Sequence, residues 1–570
     1  MNNTNNLSTI DSYVDATYYV NNGKSEHNKL VLKKLESFDV TMLELYGNVI
    51  YEITSDYDLN GATITLPDGC CLFFNGGSYS NGNLIVTGKC LLKRTRDEIF
   101  IDMVFSSANN SSYFINAGID SMFSGSNLQT LKNLSYFESV ELTKNYDISP
   151  DYNEFIITIW DRSFHINGNG HSINLSGYGG SFLKFDSDSN DNRGKTLFIE
   201  NLKVFALENS SSINTNNYYY YALLSLKFCA SLELINTELL STGICITNYG
   251  GAGSQFTYRK NSITINRSTL KSDYFVIEDG AEFIYIDNST LSAYLSYNFL
   301  NDIISNGYDN YTVNINISNS IFIGGIEIKQ GDISVSNCIL FEYFNVGVRD
   351  EVENYNDINV VVTDSIFTEK VYSGDHNHWE GCKYIRIASC KFATHVYNWE
   401  IMIYVGVCGK LEIVNCDFDP SDITLSETMY LLFLSDLNKI DSINFFGNCV
   451  NSPLNFTASI RIDISENSLL NNQDGIEIIL SKFNSLANNI NFGSTPNFVL
   501  QYLYENVTYE TAKYNHYFFD NVNKEGVTSN RPLFVPTKPY VGYNYFDTSL
   551  TKPIFRSSNA SWVDATGSSV

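Results

Sequence analysis

Val335-Ser336-Asn337-Cys338-Ile339-Leu340, Ile317-Ser318-Asn319-Ser320-Ile321-Phe322 and Ile413-Val414-Asn415-Cys416-Asp417-Phe418 are copies of one phrase. Apolar residues alternate, a small polar residue and Asn follow, then Ser, Cys or Thr, one variable residue, and Leu or Phe. The phrase recurs as Leu234-Ile235-Asn236-Thr237-Glu238-Leu239, Ile286-Asp287-Asn288-Ser289-Thr290-Leu291, Val362-Thr363-Asp364-Ser365-Ile366-Phe367 and Ile387-Ala388-Ser389-Cys390-Lys391-Phe392. Weaker copies are Arg267-Ser268-Thr269-Leu270, Asn448-Cys449-Val450 and Asn467-Ser468-Leu469-Leu470.

The Ser/Cys/Thr position falls at 237, 268, 289, 320, 338, 365, 390, 416, 449 and 468, a mean interval near 26 residues. Repeats of roughly 20–50 residues belong to stacked architectures. The alternation within each copy has the period of a strand and not of a helix. Asn suits a corner because it tolerates left-handed backbone angles and bonds to its own turn. The reading is therefore all-β: a single-stranded right-handed parallel β-helix with coils of strand, polar corner and strand, and with the small residue after each Asn stacked inside. The cysteines at 338, 390, 416 and 449 read as members of that internal column and not as redox groups. Unequal intervals report loops of different length, the usual carriers of function on a rigid scaffold.

Composition narrows the partners. The chain has 570 residues, 63 acidic against 36 basic, a net charge of −27, 17% charged residues and 14% aromatic. A surface this negative repels phosphate backbones and anionic headgroups, so neither nucleic acid nor membrane insertion is expected. The first residues, Met1-Asn2-Asn3-Thr4-Asn5-Asn6-Leu7, form neither a basic nor an apolar signal region, and no apolar run is long enough to span a bilayer. The protein reads as made in a reducing cytoplasm, with its 11 cysteines as thiols.

Upstream, Phe164-His165-Ile166-Asn167-Gly168-Asn169-Gly170-His171-Ser172-Ile173 resembles the opening coil of pectin-lyase-like β-helices, and Ile199-Glu200-Asn201-Leu202-Lys203-Val204 begins the register. The phrases Leu66-Pro67-Asp68-Gly69, Phe74-Asn75-Gly76-Gly77-Ser78 and Asn81-Gly82 alternate strand with Gly turn in the same way. Lys24 to Phe38 has helical spacing through Leu30, Leu32 and Leu35, which predicts a helix covering the open end of the stack. The expected organisation is an N-terminal cap or attachment region at 1–58, the β-helix at 59–497, a connector at 498–525 and a small C-terminal β module at 526–570.

That last segment carries a resemblance. Gly526-Val527-Thr528-Ser529-Asn530-Arg531-Pro532, Gly542-Tyr543-Asn544-Tyr545-Phe546-Asp547-Thr548-Ser549-Leu550-Thr551-Lys552-Pro553-Ile554 and Trp562-Val563-Asp564-Ala565-Thr566-Gly567 resemble the C-terminal element of tail-fibre, tail-spike and head-fibre proteins of Bacteroidetes phages and prophages, crAss-like phages included. The phrases at 66–82 resemble the β-helix start in the same group. Together they cover under a fifth of the chain. The resemblance implies a virion appendage, a homotrimer, contact with other virion structural proteins and recognition of a host surface polysaccharide. It transfers no catalytic residue.

Candidate chemistry concentrates between Arg349 and Glu400. Gly374-Asp375-His376-Asn377-His378-Trp379-Glu380-Gly381 is followed one interval later by His395-Val396-Tyr397-Asn398-Trp399-Glu400, and preceded by the charge-rich Arg349-Asp350-Glu351-Val352-Glu353. A glycosidase needs two carboxyls about 5–5.5 Å apart for retention or 6.5–9.5 Å for inversion, and coils stacked at about 4.8 Å can supply either. Asp350, Glu351, Glu353, Asp375, Glu380 and Glu400 are the candidate acids. His376, His378, Trp379, His395, Tyr397 and Trp399 are candidate glycan contacts, the indoles as platforms for sugar rings. The bland alternative is solvated loop charge and packed aromatics. His376 and His378 could meet a transition metal at a trimer axis, but no third ligand stands at a set spacing, so neither metal nor cofactor is assigned. Arg349, Lys383 and Arg386 lie near enough to raise a polysaccharide lyase, without a clear constellation. The function classes left open are glycan receptor, hydrolytic depolymerase and non-catalytic head or tail decoration.

Overall fold

The computed structural model describes residues 31–35, most of 49–206, the strands and corners of 223–346 and 356–434, short strands between 442 and 526, and 544–570 apart from 557–560. Two compact units share the chain: residues 1–285 with 293–295, and 286–292 with 296–570.

Each unit is a parallel β-helix. A coil of the first unit runs Ser231–Ile235, Glu238–Ser241, Ile244–Tyr249, one strand on each of three faces, before the chain returns to the first face at Ser262–Asn266. First-face strands pair in parallel with their counterparts in the next coil, from Val31–Leu35 through Ser262–Asn266. The second unit repeats the plan: Asn314–Ser318, Ile321–Ile323 and Ile326–Ile328 make one coil. Its first face then continues through Asp332–Ser336, Asn356–Thr363, Cys382–Ala388 and Cys408–Val414 to Glu477–Leu480.

Alternation fills the interior. In Ser262–Asn266 the buried residues are Ile263 and Ile265, in Asp332–Ser336 Ile333 and Val335. Like residues stack at coil spacing: Phe367 lies on Phe392 with ring centroids 4.5 Å apart and planes within 7°. Near the N-terminus Phe74, Phe100 and Phe123 form a chain of ring contacts at 5.1 and 5.4 Å.

The corner follows the repeat. Asn201, Asn236, Arg267, Asn288, Asn319, Asn337, Asp364, Ser389 and Asn415 all have φ between 49° and 55°. The residue after each of the last eight is buried: Thr237, Ser268, Ser289, Ser320, Cys338, Ser365, Cys390 and Cys416. Its hydroxyl or thiol donates to the carbonyl two residues back, as in Ser320 Oγ to Ser318 O at 2.6 Å and Cys390 Sγ to Ala388 O at 3.3 Å. Three of the serines also accept a backbone N–H of the preceding coil: Thr237 N–H donates to Ser268 Oγ, Ser289 N–H to Ser320 Oγ and Cys338 N–H to Ser365 Oγ, each at 3.1 Å. Outside, corner amides form their own ladder, Asn236 Nδ2 to Asn201 Oδ1 at 2.8 Å and Asn337 Nδ2 to Asn319 Oδ1 at 2.7 Å. The cysteine column expected at 338, 390 and 416 is present, and eight cysteines among the described residues are buried thiols. Of the Cys449 side chain nothing is described.

The helix expected over 24–38 is not formed where the chain is described. Val31–Leu35 is a strand, in parallel register with Val49–Ile53. Its spacing of Leu30, Leu32 and Leu35 fits a helix locally, but the edge of Val49–Ile53 offers partners to the backbone groups that face it, and tertiary pairing overrides local preference. The parallel ladder therefore begins before residue 59.

A helix does occur at Asn127–Leu134, where the sequence reading placed none. Ser126 caps it, accepting Gln129 N–H at 3.2 Å. It lies beside Val104–Ser107, the last strand of a three-stranded sheet. Asn133, 2% exposed, replaces the missing strand partner: its Oδ1 accepts Phe105 N–H at 2.9 Å and its Nδ2 donates to Met103 O at 2.8 Å. One amide side chain thus closes a sheet edge.

The C-terminal sheet differs. Asn544–Asp547, Lys552–Arg556 and Trp562–Asp564 are antiparallel, packed through Ile554, Trp562 and Val570 and tied by Lys552 Nζ to Asp564 Oδ2 at 3.0 Å. No helix among the described residues is long and apolar enough to cross a membrane.

Two substitutions test these assignments. Asn133→Leu leaves Phe105 N–H and Met103 O buried without partners, and should cost about 1–3 kcal/mol per orphaned group, read as a lower urea midpoint. Arg267→Asn relieves a left-handed cost of about 1–2 kcal/mol and extends the amide ladder. It should slow amide exchange at 266–270.

Candidate functional site

The first face of the second unit is where described polar side chains converge. In Cys382–Ala388 and Cys408–Val414, Ile385, Ile387, Leu411 and Ile413 point inward and are at most 1% exposed. Alternation turns Tyr384, Arg386, Lys410 and Glu412 outward. Parallel register sets Tyr384 beside Lys410 and Arg386 beside Glu412. Gly409 permits the close approach, since a Cβ there would lie 2.5 Å from the Lys383 carbonyl oxygen.

Glu412 is the hub. Its Oε1 lies 2.6 Å from Lys410 Nζ, and its Oε2 accepts from Tyr384 OH at 2.7 Å and Arg386 Nη1 at 3.3 Å. Lys410 also sits over the Tyr384 ring, 5.5 Å from its centroid. The ammonium beside it holds Glu412 below the usual carboxylate range, against the opposing effect of burial, with the Tyr384 hydrogen bond adding to the lowering. Burial, then the bond to Glu412, pushes the Tyr384 phenol up. The pair is thus a fixed anion and a fixed donor: Glu412 is poorly suited to deliver a proton and Tyr384 poorly suited to accept one. Arg386 and Lys410 keep side-chain exposures of 46% and 53%, against 13% for Glu412, and present their remaining donors to solvent.

The sequence reading missed Tyr384, Lys410 and Glu412 and named Arg386 only in passing. The signal was available. Arg386 and Glu412 are 26 residues apart, the mean interval of the repeat, so outward residues on successive first-face strands could have been aligned.

Of the residues singled out from sequence, Trp379 is fully described. It is 0% exposed and packs edge-on against Phe344 at 6.1 Å. Its indole is a core group, closed to a sugar ring. His378 lies on the strand Asn377–Trp379, in register with Tyr404. Asp350, Glu351, Glu353, Asp375, His376, Glu380, His395, Tyr397, Trp399 and Glu400 lie outside the described residues, as does Arg349.

Two further features belong to the first unit. His165 stacks on Phe198 at 4.6 Å, with Nε2 3.1 Å from Glu200 Oε1. A half-open cavity of about 210 Å³ beside the helix start is lined by Asp102, Ser126 and Gln129 over Phe100 and Phe123, below the roughly 300–1,000 Å³ of ordinary ligand pockets. No group of three or more metal-ligating side chains occurs among the described residues.

No protein-family model and no curated protein matches the chain. Among solved structures, the crystal structure of tailspike protein 3 of bacteriophage CBA120 aligns over 99% of this chain and 68% of that one, at 11% identity and a TM-score of 0.21. Similarity at that level supports no inference about this chain.

The placement of Trp379 has a measurable consequence. Trp379→Ala should destabilise by about 3–5 kcal/mol, as truncation of a buried aromatic does, and lower the urea midpoint.

Proposed function

We propose that the protein is a phage virion appendage of the tail-spike or tail-fibre type that recognises host surface polysaccharide during adsorption. It is made in the bacterial cytoplasm, joined to other virion structural proteins as a homotrimer, and acts at the host cell surface. The observation that carries the recognition reading is the outward polar cluster Tyr384, Arg386, Lys410 and Glu412 on a rigid parallel β-helix. A linear glycan laid across the strands meets fresh side chains every ~4.8 Å, with donors already oriented by Glu412. Phage origin rests on the resemblance of the phrases at 66–82 and 526–567.

At this cluster binding is favoured over hydrolysis, because Glu412 is its one carboxyl and is engaged by several donors. A glycosidase needs one carboxyl that keeps its proton beside a second that has lost it. Depolymerase activity would have to come from the candidate acids Asp350, Glu351, Glu353, Asp375, Glu380 and Glu400.

The test is incubation of purified protein with capsular polysaccharides from a panel of Bacteroidetes strains, followed by size-exclusion chromatography. The expected result is co-elution with a polymer of unchanged mass. A fall in polymer mass that disappears in Asp375→Asn or Glu380→Gln would replace the receptor by a depolymerase. No interaction across a panel containing the host would leave a structural decoration.

A further inference from the structure

We infer that the Tyr384–Arg386–Lys410–Glu412 cluster is a subsite for an acidic sugar, a uronic acid whose carboxylate is held between Arg386 and Lys410; the inference rests on the recognition reading above. Charge is the first argument. The chain carries 63 acidic and 36 basic residues, yet this patch joins two exposed cations to one carboxylate that is mostly covered. The residues next in register are neutral on both sides: Asn359 and Val361 on one, Ser442 and Asn444 on the other. The next acids along that column are Asp332 on one side, which already accepts from Asn359 Nδ2 at 2.7 Å, and Glu477 on the other, one strand beyond Ser442. Within the cluster itself two cations face one carboxylate, so one positive charge is left over and faces solvent.

Geometry is the second. Lys410 and Arg386 stand diagonally across neighbouring strands, offset by one strand spacing and two residues, so their Cα atoms are about 8 Å apart. A carboxylate above Glu412 can accept from both without displacing it. Glu412 uses one Nη1 contact of Arg386 and one contact of Lys410, which leaves most of the eight donors that a guanidinium and an ammonium carry. The half-buried Tyr384 ring, with Lys410 over it, supplies a flat apolar surface beside the charge, suited to a sugar's C–H face. Glu412 has a double part: it orients both cations, and by its own charge it weakens their hold on an incoming anion.

The test is affinity electrophoresis of the full chain in gels containing polygalacturonate, with dextran as the neutral control. Wild type should be retarded by polygalacturonate and not by dextran. Lys410→Gln, and Arg386→Gln combined with it, should weaken retention by about tenfold or more, as loss of charge-assisted hydrogen bonds does, with unchanged circular dichroism. Lys410→Arg should retain it. Glu412→Gln should tighten binding, a result that a purely structural ion pair would not give. If Lys410→Gln leaves retention unchanged, or if capsular polymer is bound while polygalacturonate is not, the acidic subsite is overturned and recognition stands. If neither polygalacturonate nor any capsular polymer is bound, both readings fall.

Discussion

From Asn169 to Asn415 the described coils depend on one backbone conformation: a residue other than glycine held near φ +50° at the turn from first to second face. Left-handed geometry costs an ordinary residue about 1–2 kcal/mol, and the corner offsets this in two directions. Outside, Asn side chains bond from coil to coil. Inside, the following Ser, Thr or Cys satisfies the carbonyl two residues back and, at Ser268, Ser320 and Ser365, an N–H of the neighbouring coil. Burying a small polar group is tolerable only because its partners are fixed by the same corner. With the corner set, the direction of the second strand and the stacking of Ile, Val and Phe follow from alternation alone.

The same alternation separates stability from recognition. Inward positions on Cys382–Ala388 and Cys408–Val414 are almost wholly apolar, while outward positions hold Tyr384, Arg386, Lys410 and Glu412. An outward residue meets its neighbours on the adjacent coils and solvent, so it can vary without disturbing the core.

The coils were legible because their signal is periodic: corner, small interior residue and strand alternation repeat at 236–237, 319–320 and 415–416. What was not legible lies where one element answers to a unique neighbour. Val31–Leu35 reads as helix until Val49–Ile53 supplies a partner. Asn127–Leu134 has weak propensity and is fixed by an edge that only the fold creates, through Asn133. Trp379 looked like a sugar platform because it stands among His and acids, yet strand alternation sends it inward against Phe344. The cluster around Glu412 was hidden for a different reason: its members are ordinary residues, and only stacking two copies of the repeat brings them together.

The buried thiols give the fold a built-in set of reporters. Cys70, Cys71 and Cys90 mark early coils of the first unit, and Cys338, Cys382 with Cys390, and Cys408 with Cys416 mark three coils of the second. Burial pushes the Cys71 thiol up to about 12 and raises Cys338 as well, so neither reacts as thiolate while its coil is closed. Alkylation at each cysteine is therefore gated by opening of its own coil, and the order in which they become modified in mild denaturant traces the route by which the stack unzips.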